Sequence, residues 1–271
     1  MDKYTKGNLD LWNELTPIHA RSEFYDVEGF KKGRNTLKSI ELEELGNVKG
    51  KSMLHLQCHF GMDTMSWARL EAKVTGVDFS DKAITLARTL RKETGIKANF
   101  ICSDIYKLPD VLNKKFDIVF TSYGTLYWLP DLKKWAEIIS HFLKRGGIFY
   151  IVEGHPLMNV FDNSNDATEL RVTQSYFHNA EPTKWEPDGD YADKNAKVTH
   201  PEYGWTHSLS DILNALIGAG LRIEFVHEFP VASYQWIPFA TRQGKDRFWH
   251  IEGDRIPLTF SVKATKTRNR T

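Results

Sequence analysis

The 271-residue chain is 41% hydrophobic and 26% charged, a balance that excludes wholesale disorder, collagen-like repeats and fibres. Its 36 basic and 35 acidic residues leave a formal charge of +1, without the basic excess of a protein that binds nucleic acid chiefly through phosphates. Two cysteines, Cys58 and Cys102, form neither a disulfide framework nor a thiolate-rich zinc site, and they fit a reducing compartment. No apolar segment follows Met1 to Lys6, and no run of 18 apolar residues occurs, so a soluble cytoplasmic protein without a membrane span is expected. The basic cluster Lys263, Lys266, Arg268 and Arg270 reads as a solvated, frayed terminus.

Residues 7–46 read as short helices: Leu9, Leu11, Trp12 and Leu15 recur at helical spacing until Pro17, and a second stretch over about 35–46 ends at Gly46. From Lys51 strands and helices alternate. Met53 to Leu56 is a first strand, followed by a turn near Gly61 and a helix over Asp63 to Leu70. Val74 to Asp78 is a second strand. Ser80 is placed to cap a helix with Ala83, Ile84, Ala87 and Leu90 on one face. Phe100 to Cys102 and Phe116 to Phe120 are the third and fourth strands. A helix bearing Leu132, Trp135, Ile138, Ile139 and Phe142 runs to Gly146-Gly147, ahead of a fifth strand, Ile148 to Val152. After Pro156 some 50 aperiodic residues follow, and then a helix capped by Ser208 or Ser210 and two strands, Leu221 to Phe229 and Leu258 to Ala264. The strands are continuous apolar runs, the mark of a sheet covered on both faces. Their alternation with helices predicts a doubly wound, mostly parallel α/β sheet of seven strands.

In such sheets the ligand lies outside the carboxyl ends of the strands. Asp78, 17 residues past Gly61, stands where a carboxylate accepts hydrogen bonds from both hydroxyls of a ribose, the alternative being a helix cap. Dinucleotide folds need glycines in the first turn so that a pyrophosphate can approach the backbone. Here Gln57 and His59 take two of those positions and only Gly61 remains, which argues against NAD.

The stretches Leu54 to Gly61, Val74 to Ser80, Ser103-Asp104-Ile105, Phe116 to Val119 and Leu143 to Gly147 together resemble the class I S-adenosylmethionine-dependent methyltransferases, most closely a bacterial subgroup with a Leu-Gln-Cys-His-Phe-Gly first turn. The likeness runs over about 51–152 and 208–264. It implies an antiparallel last strand and S-adenosylmethionine as cofactor. It also implies a methionine site at Gln57, His59 and Gly61, a ribose site at Asp78 with Phe79, and an adenine site at Asp104 with Ile105. The family usually has an acid at the place of His55 and glycines at those of Gln57 and His59. Thr121 and Ser122, at the end of the fourth strand, join the cofactor set by position.

The acceptor side is read from the residues themselves. Residues 1–50 are expected to form a helical cap on a methyltransferase domain spanning 51–271, with an aromatic lid at 156–206 as substrate wall. Trp12, His19, Trp128, Trp205 and His207 are the substrate-binding candidates, and His155 and Tyr123 the candidate bases; His155 is as readily a capping or solvated histidine. His55, Cys58 and His59 lack a second ligand pair, and Asp188, Asp190 and Asp193 lack the glycine and closing glutamate of a calcium loop. No metal is expected, and those acids read as a solvated loop. The expected function is methyl transfer to an O, N or S atom of a small molecule. Alternatives are an RNA-modifying methyltransferase, a non-catalytic S-adenosylmethionine-binding protein and an NAD-dependent oxidoreductase.

Overall fold

The computed structural model describes residues 2–243 and 248–267. In chain order its helices are α1 (Lys3–Arg21), α2 (Val27–Lys31), α3 (Ser39–Leu45), α4 (Met62–Arg69), α5 (Asp81–Thr94), α6 (Leu108–Val111), α7 (Leu132–Phe142) and α8 (Leu209–Gly218). The strands are β1 (Ser52–Leu56), β2 (Lys73–Asp78), β3 (Ala98–Cys102), β4 (Phe116–Ser122), β5 (Leu143–Gly154), β6 (Thr183–Trp185), β7 (Glu202–Gly204), β8 (Leu221–Phe229), β9 (Val231–Ala232), β10 (Thr241–Gln243), β11 (Phe248–His250) and β12 (Thr259–Lys266).

Seven strands form one sheet in the order β3-β2-β1-β4-β5-β12-β8. The first five are parallel, and β12 inserts antiparallel between β5 and β8. Every residue of β1 is buried because helices cover both faces. Met53 points into a layer with Trp67 of α4 and Ile84 of α5, while Leu54 points into one with Trp135 and Phe142 of α7. Strand order reverses between β2-β1 and β1-β4, which opens a crevice above the carboxyl ends at that point. Ser80 caps α5 by accepting from the Ala83 N–H at 3.0 Å, and Ser208 rather than Ser210 caps α8 in a reciprocal box with Asp211.

The structure departs from or adds to the sequence expectations at four places. Pro17 does not stop the first helix: α1 continues to Arg21, because Leu11, Leu15 and His19 bury one face and outweigh one missing hydrogen bond. Residues 156–206 are not structureless, since Phe161 bridges Val172 and β6 pairs with β7. The three-stranded sheet β10-β11-β9, between β8 and β12, has no counterpart in the sequence reading. Lys263 and Lys266 are not frayed. They lie in β12, and their ammonium groups donate to the carbonyls of Glu44 and Leu143, each at 3.3 Å. Arg268 and Arg270 lie outside the described residues.

The N-terminal helix and the insert fold on each other over the sheet edge. The Asn8 amide donates to the Tyr203 carbonyl (2.8 Å) and accepts from its N–H (2.9 Å). The Glu14 carboxylate accepts from the N–H groups of Thr199 and His200.

Candidate active site

A cavity of about 1370 Å³ lies over the ends of β1 to β4, beneath α1 and the insert. That exceeds the ~300–1,000 Å³ of a single-ligand pocket and leaves room for two molecules.

The turn after β1 keeps the backbone shape of a glycine turn without its glycines. Gln57 and His59 adopt φ of 55° and 50°, and Gly61 φ of 75°. The left-handed region costs a side-chain-bearing residue roughly 1–2 kcal/mol, so two residues carry strain that glycine would not. Gly61 has no such freedom to change, because a Cβ there would stand 2.3 Å from the Phe100 ring. The Gln57 amide nitrogen donates to the Thr125 carbonyl at 2.9 Å, which leaves its Oε1 buried and unpartnered. His59 bonds through Nε2 to His19 Nδ1 at 3.0 Å, and its Nδ1 is likewise buried and unpartnered. Burial and the neighbouring His19 push the His59 pKa well below its ordinary value, which keeps the ring neutral.

Asp78 does not cap α5. Its Oδ2 accepts from the His59 N–H at 2.8 Å and its Oδ1 from the Ser80 N–H at 2.9 Å, tying the first turn to the end of β2. Each oxygen retains a lone pair, which suits a vicinal diol. Burial raises its pKa to about 6, against the lowering effect of those N–H groups. Asp104 accepts from the Tyr106 N–H (2.9 Å), and Phe79, Ile105 and Tyr106 supply apolar surface on this side of the cavity. Carboxylate, flat apolar walls and polar side chains beside a tight turn fit a nucleoside with an amino-acid tail.

At the end of β4, Tyr123 and Gly124 also take positive φ, 44° and 79°. Glu153, at the end of β5, holds this loop by accepting from the Thr125 N–H (2.6 Å) and hydroxyl (2.8 Å) and from the Gly124 N–H. The Tyr123 hydroxyl donates to Glu41 Oε2 at 2.8 Å. Burial, with a contribution from nearby Asp63, raises Glu41 to about 7, and burial raises Tyr123 well above the usual phenol value. His55, where the family has an acid, bonds the Thr64 hydroxyl at 2.8 Å, and burial lowers its pKa to about 3.

Of the sequence candidates, Gln57, His59, Gly61, Asp78, Phe79, Asp104, Ile105, Ser122, Tyr123, Trp12 and Trp128 meet in the cavity wall. Five do not. The Thr121 hydroxyl points back to the Leu56 carbonyl (3.1 Å) inside the sheet. His155 caps a short turn through Nδ1, accepting from the Leu157 N–H at 3.1 Å, and bonds Glu228 through Nε2 at 2.9 Å, so both nitrogens serve structure. Trp205 and His207 border a separate small pocket, with His207 stacked on His178 and bonded to the Leu129 carbonyl at 2.6 Å. His19 is fully buried behind the wall, between His59 and Asp190. Of the three acids read as a solvated loop, Asp188 and Asp193 are exposed, whereas the Asp190 side chain is 8% exposed and bonds His19 Nε2 at 2.9 Å. Glu41 and Asp190 escaped the sequence reading because each acts through a contact distant in the chain. Glu153 had a signal, an acid at a strand's carboxyl end.

Residues 47–198 match a family described as methyltransferase domain. Among curated relatives, the ubiquinone biosynthesis O-methyltransferase of Shewanella pealeana is 28% identical over 150 residues, covering 54% of this chain and 63% of that protein. The protein of the same description from Bordetella avium is 25% identical over 194 residues, covering 68% and 75%. The match thus spans less than two thirds of the former relative's length. A solved S-adenosylmethionine-dependent methyltransferase from Mesorhizobium loti superposes with a TM-score of 0.56 over 87% of this chain and 99% of that one, at 22% identity, a likeness of fold. The family match covers more than half of the chain, and the chain belongs to this family of methyltransferase domains.

Proposed function

We propose that the protein transfers a methyl group from S-adenosylmethionine to a small molecule, at an O, N or S atom, with a hydroxyl oxygen the acceptor its residues suit best. The observation that carries the oxygen assignment is Tyr123 in the cavity wall with its hydroxyl bonded to Glu41, buried behind it. The O-methyltransferase relatives support it too. Bound S-adenosylmethionine supplies a methyl on a positively charged sulfur, already a good leaving group. The protein's own task is alignment, exclusion of water and proton transfer.

Gln57, His59 and Gly61 hold the amino-acid end, Asp78 with Phe79 the ribose, and Asp104 with Ile105 the adenine, Ser122 bordering the same site. Trp12 and Trp128, their rings 5.2 Å apart edge to face, wall the acceptor side. As the acceptor's O–H bond breaks, Tyr123 Oη takes that proton while its own passes to the Glu41 carboxylate, which leaves the oxygen's electron pair free to attack; bound S-adenosylmethionine would supply the methyl carbon, its bond to sulfur breaking with the electron pair kept by sulfur. A carboxylate titrating near neutrality suits that task. Residues 1–50 serve as cap and 156–206 as lid to the domain at 51–271. The unpaired Cys58 and Cys102 support a cytoplasmic location. Among the described residues no helix is long and apolar enough to cross a membrane.

The test is transfer from methyl-labelled cofactor into pooled metabolite and RNA extracts. Label in the small-molecule fraction supports the proposal. Label in RNA makes this an RNA methyltransferase, and no label with intact cofactor binding makes it a non-catalytic binder.

A further inference from the structure

Glu153, 5% exposed near the end of β5, spends both carboxylate oxygens on neutral donors. Oε1 accepts from the N–H groups of Gly124 and Gly154, the latter at 2.7 Å. Oε2 accepts from the Thr125 N–H at 2.6 Å, the Thr125 hydroxyl at 2.8 Å and the Leu126 N–H at 3.3 Å. Only an ionised carboxylate accepts at both oxygens in this way. An amide of the same shape would turn its NH2 group against one set of donors.

Four of the five donors belong to one loop, Gly124 to Leu126, and what that loop carries reaches four parts of the site. Tyr123, just before it, holds φ of 44°, a conformation that persists only where neighbours enforce it, and its hydroxyl bonds Glu41. The Gly124 carbonyl accepts from Trp128 Nε1 at 2.8 Å, which orients that ring in the cavity wall. The Thr125 carbonyl accepts from the Gln57 amide at 2.9 Å, in the turn after β1. Tyr127 joins the loop to the insert: its hydroxyl donates to Glu202 at 2.9 Å, and its carbonyl accepts from the Trp205 N–H at 2.8 Å. A Cβ on Gly204 would stand 1.7 Å from the Tyr127 ring, so this contact tolerates little movement.

We propose that Glu153 is a positioning residue for methyl transfer, its charge locking the loop after β4 and so setting where Tyr123 and Trp128 stand relative to the cofactor turn. Glu153 itself borders the small separate pocket rather than the large cavity, so it acts through the loop. The effect is on alignment, where an error of about 1 Å costs on the order of a hundredfold in rate. This rests on the reading of Tyr123 as carrier of the acceptor's proton, and the test separates the two.

The test follows label from methyl-labelled S-adenosylmethionine into a fixed small-molecule extract, as initial rates per folded molecule and as a function of pH. The full chain is compared with Glu153→Gln, Tyr123→Phe and the double variant, and calorimetry gives the affinity of each for S-adenosylhomocysteine. Glu153→Gln should slow transfer by about a hundredfold and flatten its rise with pH, with affinity within about threefold of wild type. Because the loss acts mainly through Tyr123, the double variant should be no more than about threefold slower than Tyr123→Phe alone. Thr125→Val removes one bond to Glu153 Oε2 and keeps the carboxylate; it should slow transfer severalfold, and it decides the matter if Glu153→Gln does not fold. A residue that serves stability alone would lower Tm and leave both the rate per folded molecule and the pH profile as they are. A wild-type rate in folded Glu153→Gln, or in Thr125→Val where the former does not fold, overturns the proposal while methyl transfer stands. So does a double variant slowed by the full product of the two single losses. A wild-type rate in Tyr123→Phe removes Tyr123 from the proton path, and this proposal with it. No label transferred by wild type overturns small-molecule methyl transfer itself.

Discussion

The Tyr123 hydroxyl reaches across 82 residues of chain to donate to Glu41, joining the loop after β4 to a helix of the N-terminal segment at 2.8 Å. If this pair moves the acceptor's proton, turnover should rise with pH through about 7 as Glu41 ionises. Tyr123→Phe should lower kcat by about a hundredfold or more with KM little changed, and Glu41→Gln should flatten the pH profile. A profile unaltered in Glu41→Gln removes Glu41 from the proton path. Folding gives a separate sign. The pKa of Glu41 is raised from 4.5, so the folded state keeps a proton that the unfolded chain has released. Its contribution to stability is full below about 4.5 and is lost as pH rises through 7.

If Asp78 holds the ribose, cofactor affinity should depend on pH in the same direction. A ribose diol donates to the carboxylate and not to its protonated form, so binding of S-adenosylhomocysteine should weaken below about pH 6, by up to about tenfold per unit. Asp78→Asn should flatten that dependence and weaken binding at pH 8 by roughly tenfold or more. Asp78→Ala should also lower the stability of the ligand-free protein, because the N–H groups of His59 and Ser80 lose their acceptor. Calorimetry at pH 5.5 and 8 checks the first effect, and urea unfolding the last.

Gly61→Ala should destabilise the fold by about 2 kcal/mol or more. The added Cβ would meet the Phe100 ring at 2.3 Å and Ala87 at 3.3 Å, on a backbone with φ of 75°. A urea midpoint equal to wild type would contradict the close packing of the turn after β1 against Phe100 of β3.

His155→Ala should separate structure from chemistry. Loss of the bond to Glu228 and of the turn cap should lower Tm by a few degrees, with kcat per folded molecule within about twofold of wild type. A hundredfold fall in kcat would return His155 to the reaction.

Much of this was legible from residue order. Buried parallel strands read as unbroken apolar runs, and in such sheets ligands lie at the carboxyl ends; hence the places of Asp78, Asp104 and the Gln57–Gly61 turn in the cavity wall follow from their positions just after β2, β3 and β1. The rest depends on long-range contacts. No local pattern says that Asp190 of an aperiodic insert meets His19, 171 residues earlier, or that Glu41 meets Tyr123. His155 misled because a residue just past a strand end is placed correctly in sequence, yet the ring turns away to cap the next turn.

The most direct test of the account is calorimetric titration of the full chain with S-adenosylhomocysteine and, separately, with NAD. Asp78 at the end of β2 is placed to serve a ribose in either ligand, but Gln57 and His59 put side chains at the turn where a pyrophosphate would need bare backbone. Micromolar binding of S-adenosylhomocysteine with no measurable binding of NAD is the predicted result. Tight binding of NAD with none of S-adenosylhomocysteine would contradict it.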